Sequence, residues 1–261
     1  MVPGINTPFA RPVKLSAGLY HYMGRDSVFI AYCWPASGKL FAYARDSETV
    51  GLTIRNLREL LFMLSQETQA RRIHVIGYSR GAAILSGALL EMRLMHADDD
   101  VQTMRAARKI GTVVYAGPDE DLMIFKSLFL DQVEDLVEVM LIYASPRNTA
   151  LKLSRMFGGK TERLGRPETG LTQEDYDALR QEMLSAWINV EYAQKQAGAG
   201  KVGHTFWYDN PWVSSDLIAA LKYSLAPADR GLTRAKDAAM WTFPRDYPQR
   251  IREILAAQQS P

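Results

Sequence analysis

The chain alternates short, continuously apolar segments with longer segments in which apolar residues recur every three or four positions. The first pattern is typical of buried parallel strands and the second of amphipathic helices. Strands are predicted at 27–34, 72–77, 111–116, 137–144 and 188–192. Helices are predicted at about 47–64, 81–95, 121–131, 149–156, 211–225 and 249–257. This alternation predicts an α/β fold, with a doubly wound, mostly parallel sheet flanked by helices.

No linker or internal repeat divides the chain, so a single domain over 1–261 is predicted. The polar stretch at about 166–188 has a helical pattern and is interpreted as a helical insertion in that domain. Residues from about 226 onward are predicted to form a C-terminal tail of loop with a short final helix.

Charge and cysteine content exclude several classes of protein. The 31 basic and 29 acidic residues are interspersed and leave a net charge of +2, which does not favour nucleic acid as a partner. Cys33 is the only cysteine, so no disulfide framework or thiolate metal cluster is expected, and it is interpreted as a small buried residue on a strand. No transmembrane run, metal site or cofactor site is predicted; the glycines at 198–203 open no helix and are interpreted as a flexible loop.

A Gly-x-Ser-x-Gly sequence at 77–81 joins the second predicted strand to a helix rich in small residues. Strand, tight turn and helix in this order are typical of a nucleophile elbow, which holds a catalytic serine in a strained conformation. The flanking glycines relieve crowding, and the helix N-terminus directs free N–H groups at the serine. Ser79 is therefore the predicted nucleophile, and the alternative is an ordinary turn with an incidental serine.

His204 is the predicted base, because a serine hydroxyl needs an adjacent base and the histidine comes last in this chain order. His21 precedes the first full strand, and His74 lies within the strand that leads to the serine. His96 ends a helix beside three aspartates. His204 follows the last strand of the predicted sheet in a glycine-rich loop, where the base belongs; the alternative is a surface histidine.

The acid of the triad is expected after a strand that lies between the serine and the histidine in the chain. One such strand is followed by Asp119 and the next by Asn148. An amide can orient an imidazole but cannot stabilise the imidazolium by charge. Asp119 is therefore the predicted acid, with Asn148 as the alternative at the acid position and Asp121 and Asp209 as further carboxylates.

Seven short segments, in order, resemble the motifs of an uncharacterised bacterial α/β-hydrolase family of unknown function. They lie at 3–7, 34–36, 43–46, 77–81, 116–119, 145–151 and 203–205, and the resemblance covers about 2–225. It implies a serine esterase or lipase-like enzyme. Among the departures from the family pattern, Asn148 stands where aspartate is usual and Pro3 where histidine is usual. The elbow also reads Tyr-Ser-Arg-Gly where His-Ser-Met-Gly is commoner.

The resemblance also implies an oxyanion hole made by the backbone N–H groups of Ile5 and Arg80. The strand that carries the Ile5 loop should precede Val2, so the N-terminal strands of the fold are expected to be missing from this chain. No signal peptide is visible, which makes the cytoplasm the default compartment, although a signal upstream of Met1 would not be seen.

The leading hypothesis is a serine ester hydrolase that uses Ser79, His204 and Asp119, forms an acyl-enzyme, and acts on a small-molecule or lipid ester. The alternative is a non-catalytic α/β-hydrolase-like binding or interaction protein, which Asn148 and Pro3 favour. A thioesterase or acyltransferase would use the same residues. No oligomeric state is predicted.

Overall fold

A sheet of mostly parallel strands forms the centre of the protein. The computed structural model describes residues 1–5, 7–35, 43–130, 132–157, 161–167, 186–197, 203–235 and 240–259. Within these residues the sheet has six strands: β1 (Ile73–Tyr78), β2 (Ile110–Ala116), β3 (Val137–Ala144), β4 (Ala186–Asn189), β5 (Thr233–Arg234) and β6 (Trp241–Thr242). Their order is β1-β2-β3-β4-β6-β5, and the pairing is parallel except between β6 and the edge strand β5.

Ten helices flank the sheet in the described part of the chain. They are α1 (Ala10–Tyr22), α2 (Tyr43–Glu67), α3 (Gly81–Leu94), α4 (Val101–Arg108), α5 (Leu122–Leu130), α6 (Thr149–Phe157), α7 (Glu191–Ala197), α8 (Phe206–Asp209), α9 (Pro211–Tyr223) and α10 (Tyr247–Gln259). A 3-10 turn at Val133–Leu136 precedes β3. The predicted doubly wound α/β-hydrolase-like fold is confirmed.

Successive side chains of the central strands pack into two separate cores. In β2, Val113 and Tyr115 pack with Leu85 of α3, whereas Val114 packs with Leu217 of α9 on the other face. Alternation of side chains across a strand sends neighbours to opposite faces, so a strand covered by helices on both sides must be apolar throughout. All seven residues of β2 are buried, which explains why its sequence shows no polar alternation.

The register of the parallel strands brings their carboxyl ends to one edge of the sheet. Tyr78 at the end of β1 pairs with Ala116 at the end of β2, which in turn pairs with Tyr143 near the end of β3. The turns that follow β1, β2 and β3 carry Ser79, Asp119 and Asn148, so these three predicted site residues lie at the same edge of the sheet.

The start of the chain extends the sheet beyond β1. Val2 forms a parallel bridge with Gly77, and the backbone carbonyl of Met1 accepts a hydrogen bond from Tyr32 N at 2.9 Å. The segment predicted as a strand at 27–34 therefore lies beside Met1, but it has isolated backbone bonds instead of a regular strand.

Several expectations away from the central strands were wrong or lie outside the described residues. Cys33 is exposed, because the alternating neighbour Trp34 is the one that faces inward. The C-terminal tail is not only loop and helix, since β5 and β6 add to the sheet. Most of the predicted helical insertion, 168–185, lies outside the described residues. No helix in the described part of the chain is long and apolar enough to cross a membrane.

A buried ion pair joins the C-terminal tail to the rest of the domain. Arg230 Nε donates to Asp216 Oδ1 at 2.8 Å, and both side chains are almost completely buried. The hydroxyl of Tyr143 donates to Asp216 Oδ2 at 2.6 Å, and that of Tyr247 donates to Asp216 Oδ1 at 3.4 Å. β3, α9, the turn at Arg230 and α10 thus meet at one carboxylate.

Candidate active site

Ser79 lies in the turn between β1 and α3 with a backbone φ of +54°. A non-glycine residue in this region is strained and persists only where its surroundings hold it. Here the Ser79 N–H donates to Ala116 O at 3.1 Å, and Ser79 O accepts from Asp119 N at 3.0 Å. The turn leaves no room for side chains at its flanks, since a Cβ at Gly81 would overlap the carbonyl oxygen of Val2.

The loop at Gly4 lies directly against the serine side chain. A Cβ added at Gly4 would sit 2.7 Å from Ser79 Cβ and 3.1 Å from Ser79 Oγ, so only glycine allows this approach. The buried indole of Trp34 donates to Pro3 O at 2.7 Å and holds the loop in position. Ile5 follows in this loop and Arg80 follows Ser79, so both predicted oxyanion residues are sequence neighbours of this contact.

His204 contacts the elbow at Tyr78, the residue before Ser79. Its ring lies on the ring of Tyr78, with centroids 5.0 Å apart and planes inclined by 34°. The loop is held there by Gly203, whose O accepts from Gln194 Nε2 at 3.0 Å and whose φ is +62°. No hydrogen bond joins Ser79 Oγ to His204, both of which are described.

The hydrogen-bond partner of His204 is Asn148. Asn148 Nδ2 lies 2.9 Å from His204 Nδ1, and Asn148 is completely buried. Its other amide atom, Oδ1, accepts from Leu151 N at 3.3 Å and so caps the N-terminus of α6. Gly117, with φ +53°, lies beside the pair: a Cβ there would sit 3.4 Å from both Asn148 Nδ2 and His204 Nδ1.

Asp119, the predicted acid, is buried but its carboxylate turns toward other partners. Asp119 Oδ1 accepts from Ser154 Oγ at 2.6 Å and lies 3.5 Å from Arg163 Nε. Burial lowers the pKa of His204 to about 4, and the charge of Asp119 acts in the opposite direction. Asp119 therefore influences His204 through its charge while Asn148 makes the direct contact, and its role as triad acid stays a prediction.

The two further carboxylate alternatives are engaged elsewhere. Asp121 Oδ1 accepts from Met123 N at 2.8 Å at the start of α5. The carboxylate of Asp209, which is exposed, accepts a hydrogen bond from the Thr205 hydroxyl. Neither side chain is in hydrogen-bond contact with His204.

Glu120, which directly follows the predicted acid in the chain, has a buried carboxyl that is not among the predicted site residues. Glu120 is 3% exposed, and Ser86 Oγ donates to its Oε2 at 2.8 Å. Burial raises the pKa of Glu120 to about 7, against the opposing effect of the Ser86 bond. Ser86 is the one polar side chain in the first ten residues of α3, and this was the available signal, because a buried hydroxyl needs a partner.

Comparison with known protein families identifies the family of this chain. A family model described as an alpha/beta hydrolase of unknown function (DUF900) matches residues 1–221, a range that includes the elbow, Asn148 and His204. No curated protein and no solved structure matches the chain. A family of this kind suggests hydrolase activity. With most of its length matched by that model, the chain belongs to the alpha/beta hydrolase family of unknown function.

Proposed function

We propose that the protein is a serine hydrolase that cleaves carboxylic esters, with Ser79 as nucleophile and His204 as its base. The observation that carries the proposal is the backbone of Ser79, with φ +54° at a strand-to-helix turn and the Gly4 backbone against its side chain. Strain of this kind costs about 1–3 kcal/mol and clusters at active sites. An incidental serine in an ordinary turn would need neither the strain nor the close approach of a second loop.

The proposed reaction proceeds through an acyl-enzyme. Ser79 Oγ attacks the acyl carbon while its proton passes to His204, and the backbone N–H groups of Ile5 and Arg80 receive the oxyanion that forms. The proton then goes to the departing alcohol. A water molecule, activated by His204, releases the acid and restores Ser79. The positive end of α3 adjoins Ser79 and favours the developing negative charge.

Two residues are proposed to share the role of the third residue of the triad, which is to orient the histidine and to supply negative charge. Asn148, in contact with His204 Nδ1, orients the ring, and Asp119 supplies negative charge from further away. An amide in place of the triad carboxylate typically lowers kcat about 10⁴-fold, so slow turnover is expected. Asp119→Asn is expected to reduce the rate further than Asn148→Ala, because only Asp119 stabilises the imidazolium by charge.

The proposal is tested by hydrolysis of p-nitrophenyl esters of short and long fatty acids. The wild-type chain is expected to release p-nitrophenol faster than Ser79→Ala prepared in the same way. Ser214→Ala is the matched control, because Ser214 lies on α9 and its hydroxyl bonds only its own helix, at Pro211 O. Equal rates for the wild type and Ser79→Ala would mean that Ser79 is not the nucleophile.

The second candidate is a non-catalytic binding protein built on the same fold. Asn148 at the acid position is the observation that favours it, since a neutral residue there removes the charge that catalysis needs. Under this reading Ser79 and the Gly4 loop would line a ligand site without forming an acyl-enzyme.

Parallel assays with thioesters and with added alcohol acceptors separate an esterase from a thioesterase or acyltransferase.

A further inference from the structure

We infer that the side-chain amide of Asn148 holds His204 in the tautomer that carries its proton on Nε2. In this tautomer Nε2 cannot accept the proton of Ser79, so the base of the proposed hydrolase is held in an inactive form. The inference rests on the proposed function, in which His204 must accept the proton of Ser79. Asn148 is here a positioning residue, because it acts through His204 and not on the substrate.

The orientation of the amide follows from the helix that Asn148 caps. The Leu151 N–H can only donate, and it lies 3.3 Å from Asn148 Oδ1. A flipped amide would direct its NH₂ group at this N–H and leave a buried donor without an acceptor. Asn148 is completely buried, so water does not replace the lost acceptor. The cap therefore fixes Oδ1 toward α6 and Nδ2 toward the histidine.

The orientation of the amide determines the protonation of the ring. An amide NH₂ has only donors, so His204 Nδ1, 2.9 Å away, must accept and cannot carry a proton. A neutral imidazole then has its proton on Nε2. In a serine–histidine pair whose third residue holds Nδ1, Nε2 is the atom that removes the serine proton. The resting His204 has no free lone pair on that atom.

The contact with Asn148 also disfavours the doubly protonated form of His204. The imidazolium needs acceptors at both nitrogens, and Asn148 Nδ2 supplies a donor to one of them. Burial independently lowers the pKa of His204, and the carboxylate of Asp119, which opposes that effect, is itself bonded by Ser154. The ring of Tyr78, stacked on His204, carries no charge at neutral pH, since burial raises the pKa of its hydroxyl.

A single change would reverse the tautomer without loss of the helix cap. Aspartate caps a helix as well as asparagine does, so Asn148→Asp retains an acceptor for Leu151 N–H. Its second oxygen would accept from His204 Nδ1–H, which leaves Nε2 free to act as base. Asn148→Asp is therefore expected to accelerate the reaction of Ser79 by roughly 10²- to 10⁴-fold.

The tautomer is measured by ¹⁵N NMR of the imidazole in the full chain, with the His204 signals assigned by their loss in His204→Gln. The wild type is expected to have the proton on Nε2 and Asn148→Asp to have it on Nδ1. A wild-type His204 with its proton on Nδ1 overturns the inference, whatever the activity.

The rate of reaction with a fluorophosphonate probe is measured on the same proteins. Asn189→Asp is the matched control, because Asn189 Oδ1 also accepts from a backbone N–H at the start of a helix, that of Glu191, and Asn189 is not one of the proposed site residues. Faster labelling of Asn148→Asp, with no change in Asn189→Asp, supports the inference. Labelling of the wild type as fast as that of Asn148→Asp contradicts it but leaves the proposed function intact. An absence of labelling in both contradicts the proposed function, and the tautomer then decides the inference alone.

Discussion

Replacement of Gly4 by alanine is expected to disable the site with little effect on the fold. The added Cβ would lie 2.7 Å from Ser79 Cβ, whereas carbon atoms in contact are ordinarily about 3.5–4.0 Å apart. One of the two backbones must therefore move by about 1 Å. Ser79 is held by bonds to Ala116 and Asp119, and the Gly4 loop by the indole of Trp34.

A displacement of about 1 Å at a catalytic group costs about 10²-fold in rate, and overpacking of a tight contact costs about 1–3 kcal/mol of stability. The assay is the rate of fluorophosphonate labelling of Gly4→Ala, accompanied by urea unfolding. Gly18→Ala is the matched control, because a Cβ at Gly18, in α1, meets nothing within 4 Å. Labelling of a folded Gly4→Ala at the wild-type rate would refute the close approach of the loop to Ser79.

Three further changes have expected outcomes. His204→Ala should lower the labelling rate at least about 10²-fold with an unchanged circular dichroism spectrum, because the hydroxyl loses its base. Glu120→Gln should flatten the pH dependence of urea unfolding. Burial raises the pKa of Glu120 from 4.5 to about 7, so its contribution to wild-type stability is fully present below pH 4.5 and is lost, by about 3 kcal/mol, as the pH rises from there through 7. Arg230→Met should lower the free energy of unfolding by about 3–5 kcal/mol, because it leaves the buried carboxylate of Asp216 without its cation.

The sequence predicted the elements whose pattern is local. β2 and β3 are nearly continuous apolar runs, and the structure has them within one residue of the predicted bounds. The elbow is equally local, because its glycines are required by the turn itself. β5 and β6 have two residues each and exist through pairing with each other and with β4, so no pattern within them could predict them.

The sequence predicted which strand ends carry the site residues, but it did not predict which side chains contact each other there. Chain order brings Asp119 and Asn148 to the same sheet edge, yet it does not say where each side chain points. Arg163, which lies 44 positions later than Asp119, engages that carboxylate. Asn148 caps the N-terminus of α6, and its amide contacts His204. The sequence argument favoured Asp119 because it is the carboxylate of the two candidates. In the structure the residue in contact with His204 is Asn148.

The measurement that tests the central claim most directly is the mass of the intact protein after exposure to a fluorophosphonate, followed by identification of the modified peptide. The account predicts one adduct, on Ser79, that forms slowly in the wild type and not at all in Ser79→Ala. An adduct on a different serine, or no adduct in the wild type and in Asn148→Asp alike, would contradict it.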